Sequence, residues 1–387
     1  MEENGVDLNS NLPRNILEII LIHMPIKDAV RTSVLSRKWR YAWASTPVLE
    51  FDVASIRVIP QYSAVKRLTR IIDHVLLLHN GPIEKFKLSS YFHGYSFHVD
   101  KWILFLSRQG VNNLFLGFEE AKEYPYIVPS CLFSCEQLKE LSLSCCELRT
   151  PLQFNGFCRL KALDLKDTRF TKETVESLIS SCPLLEELSI RFDYRLEHIK
   201  LHAPKLKIFY LSGVFDDLSL VGATCLVHAC IVLHGQSDLV DAVRRRFKQT
   251  NNLDKFFGSL VNLAKLTIGM YFMQHWTTYQ SSPNLEEVKI YAYLDRKSAV
   301  LYEERFWEEH KIHDCTFNHL KVIVMCGVKE GNHLLGLFKF VLANAPVLET
   351  MTIKMAPKVT EAAKKQTLKS LLQFPRASVG AQVSCLD

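Results

Sequence analysis

The 387-residue sequence has no apolar run of about 20, the length a helix needs to cross a bilayer. It has no basic stretch leading into an apolar one near its start, because Glu2, Glu3 and Asp7 come before the first apolar segment. No asparagine stands in an Asn-x-Ser/Thr sequon. Nothing marks the chain for export or for a membrane, and the expectation is a nuclear or cytoplasmic protein without a membrane partner. Glycine is scarce, at 15, and the sequence contains no Gly-x-x-x-x-Gly-Lys loop, Gly-x-Ser-x-Gly elbow or His-Glu-x-x-His motif. Cys-x-x-Cys is missing too: Cys131 and Cys135 are four apart and Cys145 adjoins Cys146. His310, His313 and Cys315 cluster in a charged stretch with no second ligand pair at finger-like spacing, so no metal is assigned. The expectation is a non-enzymatic protein with no catalytic residue, metal or cofactor. Eleven cysteines, an odd number with no evident pairing, fit reduced thiols placed mainly in a core.

Charge imbalance is small as well, 47 Lys and Arg against 41 Asp and Glu. A surplus of +6 spread over this length gives no ground for a nucleic-acid partner. The one dense basic run, Arg244-Arg245-Arg246 with Lys248, reads as a solvated helix face. What is present is an ordinary globular composition, 48% hydrophobic and 23% charged, with room for two or three domains.

The first distinctive stretch is LPRNILEIILIHMP. Pro13 suits the first turn of a helix and Pro25 its end. At 100° per residue Ile16, Leu17, Ile19, Ile20, Leu21 and Ile22 surround most of the wheel, more than one buried face can use. Asp28 can open a second helix carrying Ala29, Val30 and Val34, and Ser36 can cap a third with Trp39 and Trp43 at i and i+4. Three helices in so short a segment make a poor independent core. They either pack on the rest of the chain or carry surplus apolar surface to another protein.

Leu12-Pro13, Ile16-Leu17, Pro25-Ile26-Lys27-Asp28-Ala29-Val30, Ser33 to Arg40 and Trp43 together resemble the plant F-box in order and spacing. The resemblance implies binding to a SKP-type adaptor and, through it, to a cullin-based SCF ubiquitin ligase. Carried onto this chain, it implicates Leu12, Pro13, Ile16, Leu17, Ile20, Pro25, Val30, Leu35 and Trp39 in adaptor binding. Which of them touch the adaptor and which pack internally stays open at this point.

A repeat follows. SCPLLEELSI, HAPKLKIFYL, SSPNLEEVKI and NAPVLETMTI share one frame: Pro, any residue, Leu, two residues, apolar, one residue, apolar. Each Pro stands just before a short strand, where its missing N–H costs no ladder bond. Counting from the first apolar residue, frames start at Ile83, Val111, Leu138, Leu160, Leu185, Leu206, Leu226, Leu263, Leu285, Leu320 and Leu348. Most steps are 20 to 28 residues, as in leucine-rich repeats; the steps of 37 and 35 after Leu226 and Leu285 mean an insertion or an overlooked degenerate copy. Intervening stretches such as TKETVESLISS, with Thr171 as N-cap, read as helices. The expected fold is therefore α/β: a short all-α F-box of three helices over 8–50 and a leucine-rich-repeat solenoid with a curved parallel sheet over 51–310.

By period-two alternation the third, fifth and seventh residues of each frame face the concave side. These include Lys85, Lys87, Asn113, Phe115, Ser142, Asp164, Lys166, Arg191, Tyr210 and Lys289. Lys87, Phe115, Asp164, Arg191, Tyr210 and Lys289 form the candidate target-binding set, with Phe115 and Tyr210 as its aromatic anchors. The competing reading is that they merely cover neighbouring strands.

From residue 311 to 387 the ANAPVLE stretch and Phe374-Pro375-Arg376-Ala377-Ser378 resemble the FBD region of plant F-box proteins. Gly331, Asn332 and His333 open a helix with Leu334, Leu335, Leu337, Phe338, Val341 and Leu342 on its apolar side, and the region is expected to continue and cap the solenoid. Together the resemblances imply a substrate-recognition subunit of an SCF ligase that binds an unidentified target protein. The alternatives are an F-box small-molecule co-receptor and a leucine-rich-repeat scaffold outside any ligase.

Overall fold

The computed structural model of the chain describes residues 12–24, 26–55, 61–90, 96–118, 125–233, 256, 260–269, 283–292, 317–329, 334–357 and 359–386. It divides into two compact units, Met1–Leu185 and Glu186–Asp387.

The first unit opens with α1 (Arg14–Ile22) and α2 (Ile26–Arg31), followed by 3-10 turns at Thr32–Val34 and Ala42–Ser45. Pro13 precedes α1 with φ −60° and its carbonyl accepts from the amides of Ile16 and Leu17 at 3.0 and 3.2 Å, so the helix starts where proline allows. The third helix is a 3-10 turn rather than an α-helix, and Ser36 caps nothing. The Ser33 hydroxyl donates to the Arg40 carbonyl at 2.8 Å, and the Ala44 amide bonds to the Tyr41 carbonyl, three residues back, rather than to that of Arg40. The Trp43 indole, donating to Ser33 Oγ at 3.1 Å, locks that arrangement.

The repeats of this unit then supply β1 (Val48–Asp52), α3 (Gln61–Leu78), β2 (Lys85–Ser90), α4 (Ser96–Gln109), β3 (Asn113–Phe118), β4 (Tyr126–Ile127), β5 (Glu140–Ser144), β6 (Cys146–Glu147), β7 (Ala162–Lys166) and α5 (Lys172–Ser180). Strands β1, β2, β3, β5 and β7 form one parallel sheet in that order, and β4 pairs with β6 beside it. As expected, the Thr171 hydroxyl caps α5, accepting from the Thr174 amide at 3.2 Å.

The second unit carries β8 (Glu187–His202), β9 (Ile208–Val221), β10 (His228–Leu233), β11 (Lys265–Gly269), β12 (Glu287–Tyr291), β13 (Val322–Val328), α6 (Leu335–Asn344), β14 (Thr350–Met355), α7 (Glu361–Leu372) and β15 (Gln382–Leu386). Each strand pairs in parallel with the next in sequence.

In every frame the fourth and sixth residues, from Phe86 and Leu88 to Met351 and Ile353, are at most 2% exposed. At eight of the frames the chain enters its strand through a turn in which the amide of the first frame residue returns to the carbonyl three residues back, among them Leu185 to Cys182, Leu206 to Ala203 and Leu348 to Ala345. The frame prolines stand second in those turns, where a fixed φ near −65° is what the chain needs. The residue that opens each turn is itself buried, Cys182 at 2% and Ala345 at 0%, so the repeat has a further core position upstream of the frame.

Three expectations change. The steps of 37 and 35 are insertions, because β10 pairs directly with β11 and β12 with β13. Two further strands, β1 and β15, extend the frames at their ends. Finally, the helix expected between repeats gives way to a strand after β8 and β9. Both run past their frames, and Arg195–His202 pairs in parallel with Val214–Val221. Here Ile199 and Leu201 alternate with Lys200, and Leu218 and Leu220 with Ser219, a period of two that cannot make one apolar helix face. Arg195 pairs with Asp216 within this second ladder. Gly213 stands at the corner of β9, where a Cβ would run into the ring of Phe192.

Gly331, Asn332 and His333 lie outside the described residues; Leu337, Phe338, Val341 and Leu342 do form the buried side of α6. The Phe374–Ser378 stretch ties down the last strand. The Arg376 guanidinium donates to the Ala381 carbonyl at 2.9 Å, the Ala377 amide to Leu342 at 2.8 Å and the Ser378 hydroxyl to Leu348 at 2.7 Å.

Candidate functional site: two docking surfaces

The first surface is the amino-terminal helix pair. Leu17 and Leu21, at 2% and 0% exposure, point into a core shared with Ile26, Ala29, Trp39 and Trp43. The same helix turns Ile16, Ile19, Ile20 and Ile22 outward, and beyond α2 Val34 and Leu35 stand out at 88% and 55%. At 100° per residue the four isoleucines cover roughly 160° of the wheel, as wide as a whole core-facing stripe. Of the residues implicated in adaptor binding, Ile16, Ile20, Leu35 and Pro13 are exposed, while Leu12 and Val30 are half-buried. Leu17 and Trp39, left open between adaptor contact and internal packing, are interior at 2% and 5% exposure. Pro25 lies outside the described residues. Ile19, Ile22 and Val34 belong to the surface and were left off the sequence-based set; the wheel itself already contained the first two.

The second surface is the concave face of the first unit. Lys87 of β2, Phe115 of β3, Ser142 of β5 and Asp164 of β7 are direct neighbours across four strands. They line a depression of about 390 Å³, together with Ser89, Gly117, Glu140 and Ser144. Asp164 accepts a hydrogen bond from the Ser142 hydroxyl at 3.0 Å. Lys85 lies one register step away, its Nζ 2.7 Å from Glu50 and 5.4 Å from the Phe115 ring centroid. Gly117 and Glu140 were missed although they occupy seventh and third frame positions, where the alternation rule would have found them.

In the second unit Arg191, Tyr210 and Lys289 also avoid the core. The structure does not bring these three together. Tyr210 and Lys289 are separated by Cys230 and Thr267 along the ladder, and the Lys289 ammonium sits 4.8 Å over Tyr291. His228, in the same unit, has its pKa lowered by burial and by Lys265.

Ten cysteines are described, all free thiols. Cys135, Cys146, Cys182, Cys230 and Cys326 are core residues as expected, but Cys158 and Cys225 are exposed. Burial pushes the Cys146 thiol up to about 12, so it stays protonated and unreactive at neutral pH. Among the described residues no group of three metal-ligating side chains converges, and no helix is long and apolar enough to cross a membrane. His310, His313 and Cys315, like the basic run at 244–248, fall outside the described residues.

Comparison with known proteins gives two matches to sequence families. Residues 9–51 match the F-box domain, and residues 99–302 match the family described as FBD-associated F-box protein At5g56370, LRR repeats. The chain is similar along nearly its whole length to F-box/FBD/LRR-repeat protein At1g13570 of Arabidopsis thaliana, with 34% identity over 98% of this chain and 99% of the relative. F-box/FBD/LRR-repeat protein At5g56420 of the same plant is 25% identical over 96% of this chain and 97% of its own. F-box/LRR-repeat protein At3g03360, also from Arabidopsis thaliana, is 28% identical over 71% of this chain and 61% of its own.

Proposed function

Because the chain belongs to the F-box/FBD/LRR-repeat family of plants, we propose that it is the substrate-recognition subunit of an SCF-type ubiquitin ligase, binding a SKP-type adaptor through its F-box and a target protein through its repeats. The observation that carries this reading is the unfilled apolar face of α1. Ile16, Ile19, Ile20 and Ile22 lie outward although the core is already complete with Leu17 and Leu21. Apolar area of that extent, left in water, costs free energy that a fitted partner helix recovers at roughly 25 cal/mol per Å².

The mechanism is one of position. The adaptor and cullin bring a ubiquitin donor to the complex, the repeats hold the target, and the target's lysines meet the donor at raised effective concentration. No side chain of this protein makes or breaks a bond. The compartment is nuclear or cytoplasmic, where the ubiquitin machinery and reducing conditions coincide.

The test is capture of a purified SKP-type adaptor. Replacing Ile20→Asp together with Val34→Asp, both already exposed, is expected to weaken capture at least thirtyfold, about 2 kcal/mol, with the thermal midpoint unchanged. Undiminished capture would remove the F-box reading of this face. Co-purification of a cullin with the adaptor complex separates a ligase subunit from a scaffold outside it.

A further inference from the structure

The concave depression of the first unit is electrically divided. Lys87 stands on its β2 side; Glu140 and Asp164 stand on its β5 and β7 side. Neighbouring strands are about 4.8 Å apart, so Lys87 and Asp164, three strands from one another, are separated by about 14 Å at the backbone. They are too far apart to neutralise each other. Lys85, by contrast, is already paired with Glu50 at 2.7 Å. Lys87 and Glu140 have no ion pair among the described residues, and Asp164 spends one oxygen on Ser142 while the other keeps its acceptor capacity.

Between the poles the floor is apolar and low. Phe115 offers a ring, and Gly117, flanked by Ser89 and Ser144, offers no side chain; a Cβ there would come 3.3 Å from Ser144 Oγ. Unpaired charges of opposite sign on either side of an aromatic floor are a recognition surface for a ligand carrying the reverse order of charges. An extended chain advances about 3.3 Å per residue, so three or four residues span the gap.

We propose that this depression holds an extended segment of the target protein, with an acidic side chain over Lys87, a basic side chain three or four residues away against Glu140 and Asp164, and the side chains between them on Phe115. The proposal rests on the reading of the repeats as the target-holding part of the chain, and it adds the chemistry of what they hold. Opposite charges set at a defined spacing select a register as well as a partner, because a segment entering backwards brings like charges together.

The test uses the full chain captured through its adaptor and a library of ten-residue peptides. Each peptide carries one Asp or Glu and one Lys or Arg, in both orders and at every separation from one to eight residues. Enrichment is expected at separations of three and four. Affinity of the enriched peptides should fall about tenfold in Asp164→Asn and in Lys87→Glu. The decisive variant is Lys87→Glu combined with Glu140→Lys and Asp164→Lys, which should reverse the charge order relative to a fixed marker residue in the peptides. A library with no binder, enrichment without charge preference, or a preference unchanged in the triple variant overturns the proposal. So does saturable binding of free arginine or glutamate that the same substitutions abolish, which would make the site one for a small molecule. Adaptor capture is read in the same sample, so failure of the peptide reading leaves the F-box reading standing and is told apart from it.

Discussion

The two ends of this chain solve the same problem in opposite ways. A stack of strand repeats exposes apolar edges at its first and last members, and something must cover them. At the carboxyl end the chain adds a last strand with a helix beside it, and Leu372, Val379 and Leu386 stay 60%, 94% and 48% exposed. Strand β15 is held by α7 and by three hydrogen bonds from the Arg376–Ser378 stretch, and those polar groups are satisfied within the chain. At the amino end the helices also pack inward through Leu17, Leu21, Trp39 and Trp43, but they add an outer layer of isoleucines that nothing among the described residues covers. One end leaves scattered apolar side chains in water, and the other groups its exposed isoleucines on one helix face. An apolar face is informative only when the core beneath it is already full, which is the case at α1 and not at α7, where Leu371 alone is buried.

That contrast predicts that inner and outer layers of the F-box separate stability from binding. The largest effect belongs to Trp39→Ala. Removing a side chain only 5% exposed should cost about 3–5 kcal/mol of stability, visible as a lower denaturation midpoint, with adaptor capture lost as a consequence. Ile20→Asp with Val34→Asp should do the reverse, weakening capture by about 2 kcal/mol or more at an unchanged midpoint. Leu12→Ala with Pro13→Ala lies between, since Leu12 is half-buried and Pro13 exposed: a loss of capture of up to about 2 kcal/mol together with a small fall in the midpoint. If Trp39→Ala and the Ile20/Val34 pair shift both readouts in proportion, the layered description of the F-box fails.

The sequence carried much of this. Four prolines in one register announced the repeats, and the structure shows why they recur: Pro183, Pro204 and Pro346 are each the second residue of the turn that delivers the chain into a strand. β1 was hidden because its proline, Pro47, falls inside the frame rather than ahead of it, and because Thr46 holds the place usually taken by Leu. β15 was hidden because Gly380 holds that place. The strand arms after β8 and β9 carried a visible period of two, overridden by the expectation that every repeat returns through a helix. The third F-box helix was illegible for a different reason. Trp39 and Trp43 have helical spacing, and the bonds that tie Ser33 to the Arg40 carbonyl and to the Trp43 indole, which no pattern announces, accompany a segment of turns. At the concave face, alternation identified the exposed positions, but grouping Lys87, Phe115, Ser142 and Asp164 around one depression required the register across four strands. The inward leucines and outward isoleucines of α1 could not be told apart until the position of the core was known.

The most local effect tests the carboxyl end. Arg376 reaches the Ala381 carbonyl just before β15, and Ser378 reaches the Leu348 carbonyl just before β14, so the two side chains fasten the last strand where it meets its neighbour. Neither contact is deeply buried, and each should contribute about 1 kcal/mol. Arg376→Ala with Ser378→Ala is therefore expected to lower stability by about 2 kcal/mol, if the two add, and to speed amide exchange in Gln382–Leu386 well before exchange rises in Thr350–Met355. Adaptor capture should not change, because no F-box residue is touched. Were β14 to open together with β15, the stretch would be stabilising the core of the repeat rather than fastening its last strand.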